Sequence, residues 1–466
     1  MQGRKQTISQ DNSRWKDRTA SEGYDGVQTC IGINDNQFTE VPFTEGNLLE
    51  YILSPANLNR AYRQVVSNKG SGGIDGMSTD ELLSWLRVHK DELLSSLYSG
   101  TYRPNPVRRV EIPKDNGKTR PLGIPTVVDR FIQQAISQVL TSIYDRSFSR
   151  FSYGFRPGRN AHQALQQAQS IINDGYRYAV DIDLEKFFDT VHQSRLIEIL
   201  SRKIKDGRVI SLIHKYLRSG VMIGLRHEVS ETGVPQGSPL SPLLGNIMLD
   251  ELDKELERRG HPFVRYADDG LIFCRSARAA ARVQTSITRF IEERLYLRVN
   301  REKTRNGLVF GMKFLGYSFY TRQGVCRLCV HSKSSDKMRT RLKEMTSRSN
   351  GMGYENLKTA LKQFIRGWVE YFKLADMKGL LQRTDEWLRR RIRMCIWKWW
   401  KNVKTRFKNL ICCGIDKNKA WMWANTRKGY WHTAGSFIMS TSVTNDRLRQ
   451  AGYVFLSDIY VKWHRK

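Results

Sequence analysis

Apolar positions recur at helical spacing from Asn47 through Leu48, Leu49, Tyr51, Ile52, Leu58, Tyr62, Val65 and Val66, and predict helices. The pattern breaks at Lys69-Gly70-Ser71-Gly72-Gly73-Ile74-Asp75-Gly76. With so little side-chain bulk, this loop is expected to be mobile and suited to close approach by another backbone or a nucleic-acid strand. It lacks the Gly-Lys-Ser/Thr ending of a nucleotide P-loop, so that class is excluded. From Val107 to Ile124 short extended runs flank Asp115-Asn116-Gly117, a hairpin signal that sets Arg108, Lys114 and Arg120 on or beside one basic hairpin. A helix is expected from Phe131 to Ile143, then a Gly/Pro/Arg-rich loop Ser152 to Arg159, then a helix from Ala161. No regular repeat appears. Past Ser332 the pattern is mainly helical, which places a domain change there. Residues 1–45 are polar without periodicity and predict a flexible leader.

Two segments carry acid inside strand-like patterns. In Tyr178-Ala179-Val180-Asp181-Ile182-Asp183, alternation sends Asp181 and Asp183 to one face at the end of a strand. In Phe263-Val264-Arg265-Tyr266-Ala267-Asp268-Asp269-Gly270-Leu271-Ile272-Phe273-Cys274, two apolar runs meet at a tight turn with adjacent carboxylates. An isolated Asp-Asp is ordinarily a solvated turn. Like charges between apolar strands are costly, however, unless they are solvated or bound to cations. If Asp183 and the Asp268-Asp269 pair converge, they form an oxygen-ligand site for two divalent ions, the arrangement that drives in-line nucleotidyl transfer.

The charge balance sharpens this picture. Of 466 residues, 77 are Lys or Arg and 46 Asp or Glu, a formal net charge of +31 that asks for a polyanion. Residues 331–466 alone carry +20, together with nine of the eleven Trp, leaving +11 on the first 330. Basic residues interleaved with Trp fit a surface that grips phosphates and stacks bases, although most individual Trp are expected to fill helix-packing cores. The seven Cys form no framework and suit a reducing compartment; Cys326-x-x-Cys329 has no second pair to complete a zinc site and reads as strand or core cysteine. No apolar run approaches a membrane span and no signal-peptide core is present, so a soluble, cytoplasmic protein without membrane partners is expected.

Tyr266-Ala267-Asp268-Asp269 resembles the signature of reverse transcriptases, and the wider resemblance is to the group II intron-encoded reverse transcriptase/maturases. Its further motifs, in order, are Arg108-Arg109-Val110-Glu111-Ile112-Pro113-Lys114, Arg120 to Thr126, Ser152-Tyr153-Gly154-Phe155-Arg156-Pro157, Asp183 to Asp189, and Pro235-Gln236-Gly237-Ser238-Pro239-Leu240-Ser241-Pro242. Together the matches cover roughly Asn47 to Thr405. The implied fold is α+β: a right-hand polymerase whose fingers and palm hold an antiparallel sheet, then an α-helical thumb/maturase X domain, then a basic C-terminal DNA-binding segment. The expected division is a leader 1–45, an N-terminal extension 46–105, fingers and palm 106–331, thumb and X domain 332–405, and the basic segment 406–466.

Residue by residue, the resemblance makes Asp183, Asp268 and Asp269 the metal-binding catalytic carboxylates, with Asp183 preferred over Asp181 because it lies five positions before Phe188. It makes Phe188 a steric gate against a 2′-hydroxyl. Arg108, Lys114 and Arg120 would hold triphosphate or template, Ile124 and Gln236 would lie at the nucleotide pocket, and Pro239 would sit below the template base. Lys303, in Asn300-Arg301-Glu302-Lys303-Thr304, would donate a proton to pyrophosphate, a surface lysine being the plain alternative. Phe314-Leu315-Gly316-Tyr317 resembles the primer grip. Phe364-Ile365-Arg366-Gly367-Trp368-Val369-Glu370-Tyr371-Phe372 resembles the X domain, with Phe364, Ile365, Trp368, Val369 and Phe372 at core spacing. Arg389-Arg390-Arg391 and Arg393 are then the expected RNA contacts.

The implied cofactor is two Mg²⁺ ions, with Mn²⁺ as the alternative. The implied partners are group II intron RNA, an RNA template with a DNA or RNA primer, target DNA and deoxynucleoside triphosphates. With only His331, His432 and His464 in the last third, and Cys412-Cys413 adjacent, no His-Asn-His endonuclease is expected. Two rival readings are an RNA-binding splicing cofactor that no longer polymerises, and a CRISPR-associated or diversity-generating reverse transcriptase.

Overall fold

The computed structural model describes residues 46–113, 119–224, 226–228, 231–349 and 351–464. The leader 1–45, the Asp115-Asn116-Gly117 turn and Lys114 lie outside the described residues. The chain divides into two compact units, one of residues 1–168 with 178–307 and one of residues 169–177 with 308–466.

In the first unit, β1 (Val107–Pro113) pairs antiparallel with β2 (Thr119–Ile124), and Arg108 stands opposite Ile124. Two short strands, β4 (Val221–Ile223) and β5 (Arg226–Glu228), extend this sheet in the order β2-β1-β4-β5. A second sheet runs β6-β7-β3-β8, built from β3 (Tyr178–Ile182), β6 (Phe263–Tyr266), β7 (Asp269–Cys274) and β8 (Arg305–Leu308). As an inner strand, β3 buries both Ala179 and Val180, so the expected alternation survives only at its ends.

Helices supply the remaining core. Helix Val127–Tyr144 begins four residues earlier than its apolar period suggests, because the Thr126 hydroxyl caps it by accepting the Asp129 backbone N–H at 3.2 Å. Its Phe131, Ile132, Ala135, Ile136 and Leu140 enter one continuous core with Leu58, Val180, Leu244 and Ile287. The glycine loop is held rather than free. A side chain on Gly73 would meet the Thr126 backbone at 2.6 Å, and Gly72 O accepts both Nε and Nη2 of Arg108, at 3.2 and 2.8 Å. The close approach foreseen for this loop is made by the protein's own backbone.

The second unit contains a sheet of order β11-β10-β9, made of β9 (Lys313–Phe314), β10 (Tyr317–Arg322) and β11 (Val325–Val330), followed by helices. Cys326 and Cys329 both lie on β11, three residues apart, so they face opposite sides of the sheet and cannot share an ion. Burial pushes the Cys326 thiol up to about 11. In helix Tyr354–Phe372, Leu357, Leu361, Ile365, Val369 and Phe372 are buried, while Phe364 and Trp368 sit half-buried beside that stripe.

Helix Lys378–Trp399 carries the arginines expected to contact RNA, and three of them, Arg390, Arg391 and Arg393, are also tied to oxygens within the protein. Arg391 donates to Thr346 Oγ1 at 2.6 Å and to the carbonyls of Lys343 and Thr346, while Arg393 donates to Val443 O at 2.8 Å and Asn445 Oδ1 at 2.9 Å. Arg390 donates to Trp431 O, and Arg389 lies 5.0 Å from the Phe455 ring centroid. The short elements around this helix end in backbone carbonyls that need donors, and arginine supplies several from one side chain.

Buried Asp385, on the same helix, accepts the backbone N–H groups of Leu456 and Ser457 at 2.9 and 2.8 Å, fixing the start of helix Leu456–His464. Asp385→Ala should lower the stability of the second unit by about 2 kcal/mol, because those donors lose their partner. Denaturant unfolding followed by Trp fluorescence checks this; an unchanged midpoint would contradict it.

Candidate active site

Strand register brings the acids together. Ile182 of β3 stands opposite Gly270 of β7, so one step further along the same register sets Asp183 level with Asp269. Tyr266 pairs with Asp269, which leaves Ala267 and Asp268 as the turn between β6 and β7. Asp183 and Asp268 are half-buried and Asp269 is exposed. Asp181, the rival acid, is opposite Leu271, one turn of the pleat further from the tip. Asp183 is also held from the far side: its backbone N–H donates to Thr304 Oγ1 at 3.2 Å, its carbonyl accepts from Asn300 N at 2.9 Å, and Lys303 Nζ lies 3.4 Å from Oδ1.

The turn is strained, and a buried cation braces it. Ala267 adopts φ +57°, a left-handed conformation that costs an L-residue roughly 1 kcal/mol or more. Arg265 donates to Ala267 O at 2.9 Å, to Asn246 Oδ1 at 3.0 Å and, through two nitrogens, to both carboxylate oxygens of Asp253. Asp253 is fully buried; burial pushes its carboxyl up, and the Arg265 guanidinium opposes that rise. Asn246 in turn donates to Gly154 O at 2.8 Å, where the Ser152 to Pro157 loop passes so close that a Cβ on Gly154 would fall 2.2 Å from Ala267 N. Sequence reading missed Arg265, Asp253, Asn246 and Thr304. The available signal was a lone arginine inside the apolar run Phe263-Val264-Arg265-Tyr266, since a charge in a buried strand requires a partner.

A cleft of about 450 Å³ lies in the same unit, lined by Phe188, Gln236, Asp189, Arg109, Glu111 and Lys186 among others. The Phe188 ring packs 5.0 Å from that of Phe187, and a Cβ on Gly245 would come within 3.1 Å of it, so the ring has a firm backing. Gln236 bridges the cleft: its Oε1 accepts from Arg120 Nε at 2.9 Å, its Nε2 donates to Asp189 Oδ1 at 3.1 Å, and its carbonyl accepts from Gly123 N at 2.7 Å. Gly233 must be glycine-like, with φ +87° and the carbonyls of Phe188 and Asp189 where a side chain would stand. Of the expected nucleotide contacts, Phe188, Gln236 and Arg120 thus converge. Arg108 turns instead to Gly72, and its neighbour Arg109 faces the cleft, as alternation along β1 requires. Ile124 ends β2 and Pro239 precedes helix Ser241–Arg258; both are half-buried, and neither is among the cleft's lining residues. Among the described residues, no group of three or more His, Cys, Asp and Glu side chains is arranged to hold a metal ion, and no helix is long and apolar enough to cross a membrane.

The first unit thus holds a carboxylate turn level with a second strand acid, and a polar cleft that contains an aromatic ring, and comparison identifies the class of the chain. Residues 112–319 match the model of the reverse transcriptase (RNA-dependent DNA polymerase) family, and residues 335–414 match the group II intron maturase-specific domain. Protein YkfC of Escherichia coli (strain K12) is 35% identical over 311 residues, covering 58% of this chain and 82% of YkfC. Group II intron-encoded protein LtrA of Lactococcus lactis subsp. cremoris is 39% identical over 225 residues, 48% of this chain and 37% of LtrA. The putative COX1/OXI3 intron 2 protein of Saccharomyces cerevisiae is 36% identical over 203 residues, 43% of this chain and 23% of that protein. Among solved structures, a chain of a partial Cas6-RT-Cas1--Cas2 complex aligns with TM-score 0.35 and 27% identity over 53% of this chain and 42% of its own. Residues 112–319 form a reverse transcriptase domain of mixed α and β structure. The chain belongs to the family of group II intron-encoded reverse transcriptase/maturases.

The brace behind the turn has a measurable consequence. Arg265→Met leaves Asp253 buried and unpaired, which should cost about 3–5 kcal/mol, whereas Arg265→Met with Asp253→Leu should recover most of that loss. Chemical denaturation checks both; equal instability of the single and double variants would refute the pairing as the cause.

Proposed function

We propose that the chain copies RNA into DNA by joining deoxynucleotides to a primer 3′-hydroxyl at Asp183, Asp268 and Asp269, and that its helical half binds intron RNA to assist splicing and retrohoming. The observation that carries the polymerase reading is the register that sets Asp183 level with Asp269 at the tip of an acidic turn. These all-oxygen donors fit Mg²⁺, with Mn²⁺ as the alternative; two such ions, when bound, would activate the 3′-hydroxyl and offset the charge of the departing pyrophosphate. Arg120 and Arg109 hold the triphosphate by charge-assisted hydrogen bonds, and Lys114 and Arg108 supply further positive charge for triphosphate or template, Arg108 while bonded to Gly72 O. Gln236 keeps Arg120 in place, Phe188 stands where a ribose 2′-hydroxyl would need room, and Ile124 and Pro239 support the nucleotide and template base from behind. Lys303, already beside Asp183, is placed to pass a proton to pyrophosphate.

In this reading residues 106–331 act as fingers and palm after an extension at 46–105, residues 332–405 act as thumb and X domain, and residues 406–466 contact target DNA. The work is done in the cytoplasm. YkfC is matched over most of its length, whereas LtrA and the yeast protein extend well beyond the matched portion, so intron RNA, template, primer and target DNA as partners rest on the family relationship.

Primer extension on an RNA template with Mg²⁺ tests the reading. Asp268→Ala/Asp269→Ala should lose activity by about a thousandfold or more while retaining RNA binding; extension at the wild-type rate would overturn the site, and intact RNA binding without any wild-type extension would favour the splicing-cofactor alternative. Phe188→Ala should admit ribonucleotides, and unchanged discrimination would remove Phe188 as the gate.

A further inference from the structure

Within the second unit a cleft of about 330 Å³ is lined by Arg339, Thr340, Lys343, Trp387, Arg391 and Trp431. Three of the six are cations and none is an acid. Arg339, Thr340 and Lys343 project exposed from helix Ser332–Met345, and among the described residues no carboxylate pairs with Arg339 or Lys343. Two exposed cations without counter-charge on one face of a helix repel each other and attract an anion.

Trp431 is built differently from the core tryptophans. Trp397 and Trp400 are buried at 1% and 6% exposure, whereas Trp431 is 39% exposed and still rigidly seated. The Arg390 guanidinium lies 4.1 Å from its ring centroid and also donates to its backbone carbonyl at 3.0 Å, which backs the indole and fixes the chain that carries it. Arg391, 5.3 Å from the Trp387 ring, is locked by its bonds to Thr346 and Lys343 and forms a fixed wall. The result is a pre-set aromatic surface beside two exposed cations, of which Arg339 lies 5.5 Å from the Trp387 ring centroid.

We propose that this cleft takes one unpaired nucleotide of a single nucleic-acid strand, its base stacked on Trp431 and its flanking phosphates on Arg339 and Lys343. The volume is at the lower end of the ~300–1,000 Å³ range for small-ligand clefts, room for one nucleotide and not for a base pair. A paired base already has both faces occupied, so only an unpaired one offers a free face to an indole. An acidic peptide would satisfy the cations but leave the indole surface without a partner. The choice of RNA over DNA as the source of that strand rests on the maturase role proposed above for residues 332–405, which supply every lining residue except Trp431; the pocket chemistry does not.

Binding of the full chain to a fluorescent ten-nucleotide single strand, as RNA and as DNA of the same sequence, tests the proposal. Trp431→Leu should weaken binding about tenfold while Trp431→Phe, which keeps a ring, stays close to wild type. Arg339→Gln/Lys343→Gln should reduce the slope of log affinity against log salt by about 1.4. With the wild-type protein, replacing bases one at a time by abasic sites should reveal one position whose loss costs about tenfold, a readout independent of any effect of substitution on folding. Wild-type affinity in Trp431→Leu, an equal loss in Trp431→Phe, no sensitive abasic position, or equal competition by poly-glutamate would each overturn it. Stronger dependence on Trp431 with the ribose strand supports RNA, and stronger dependence with the deoxyribose strand overturns that assignment. Because these variants leave Asp183, Asp268, Asp269 and the Phe188 cleft untouched, primer extension by the same preparations separates the outcomes. Normal extension without stacking refutes this inference alone, and stacking without wild-type extension refutes the polymerase reading alone.

Discussion

The acidic turn exists because Arg265 is buried behind it. A guanidinium in a strand interior is tolerable only with its donors satisfied, and here Asp253, Asn246 and the carbonyl of Ala267 satisfy them together. The last of these bonds reaches the left-handed residue of the turn itself, so the energy that compensates one buried charge also holds a strained backbone. Two carboxylates at the tip then project from a framework that cannot relax to separate them. Adjacent like charges on such a framework repel, a cost that solvent or a bound cation lowers.

The cleft lined by Phe188 and Gln236 follows the same economy of close approach. Gly233 and Gly245 remove side chains where Phe188 and Asp189 must sit, and Gly154 does so beside Ala267. Gln236 then spans from Arg120 to Asp189 and joins the basic hairpin to the segment that carries Phe188. Backbone contacts within a few ångströms hold Phe188 and Gln236 in fixed relative positions.

Much of this was legible in the sequence, and the exceptions share a cause. The hairpin carrying Asp268 and Asp269 could be read because two period-two apolar runs flank it, and the parity that pairs Asp181 with Asp183 could be read the same way. Choosing between those two rested on the family resemblance, because what separates them physically is the register with β7, a long-range pairing. Parity also separates Arg108 from Arg109, but which of them faces the cleft depends on where Gly72 lies, and no local pattern encodes that. The Arg389 to Arg393 run looked like a phosphate grip because arginine is ordinarily solvated or paired with an anion. Arg390, Arg391 and Arg393 also donate to oxygens within the protein, most of them backbone carbonyls, groups that every residue possesses and that leave no mark in a sequence. The partners of Arg265 were hidden for a related reason: Asp253 shares its helix with Asp250, Glu251, Glu255 and Glu257, and nothing in that acidic run marks which of them meets Arg265.

The bond from Asp385 to the start of helix Leu456–His464 closes a loop of 71 residues in the chain. The entropy lost in closing a loop grows only with the logarithm of its length, about 0.6 kcal/mol for each doubling. The enclosed segment of short helices, joined by exposed turns such as the one at Gly414, could therefore lengthen considerably without loosening its anchor. Where evolution adds a folded module to such a chain, an insertion inside this clasp would disturb the anchor far less than a change at Asp385.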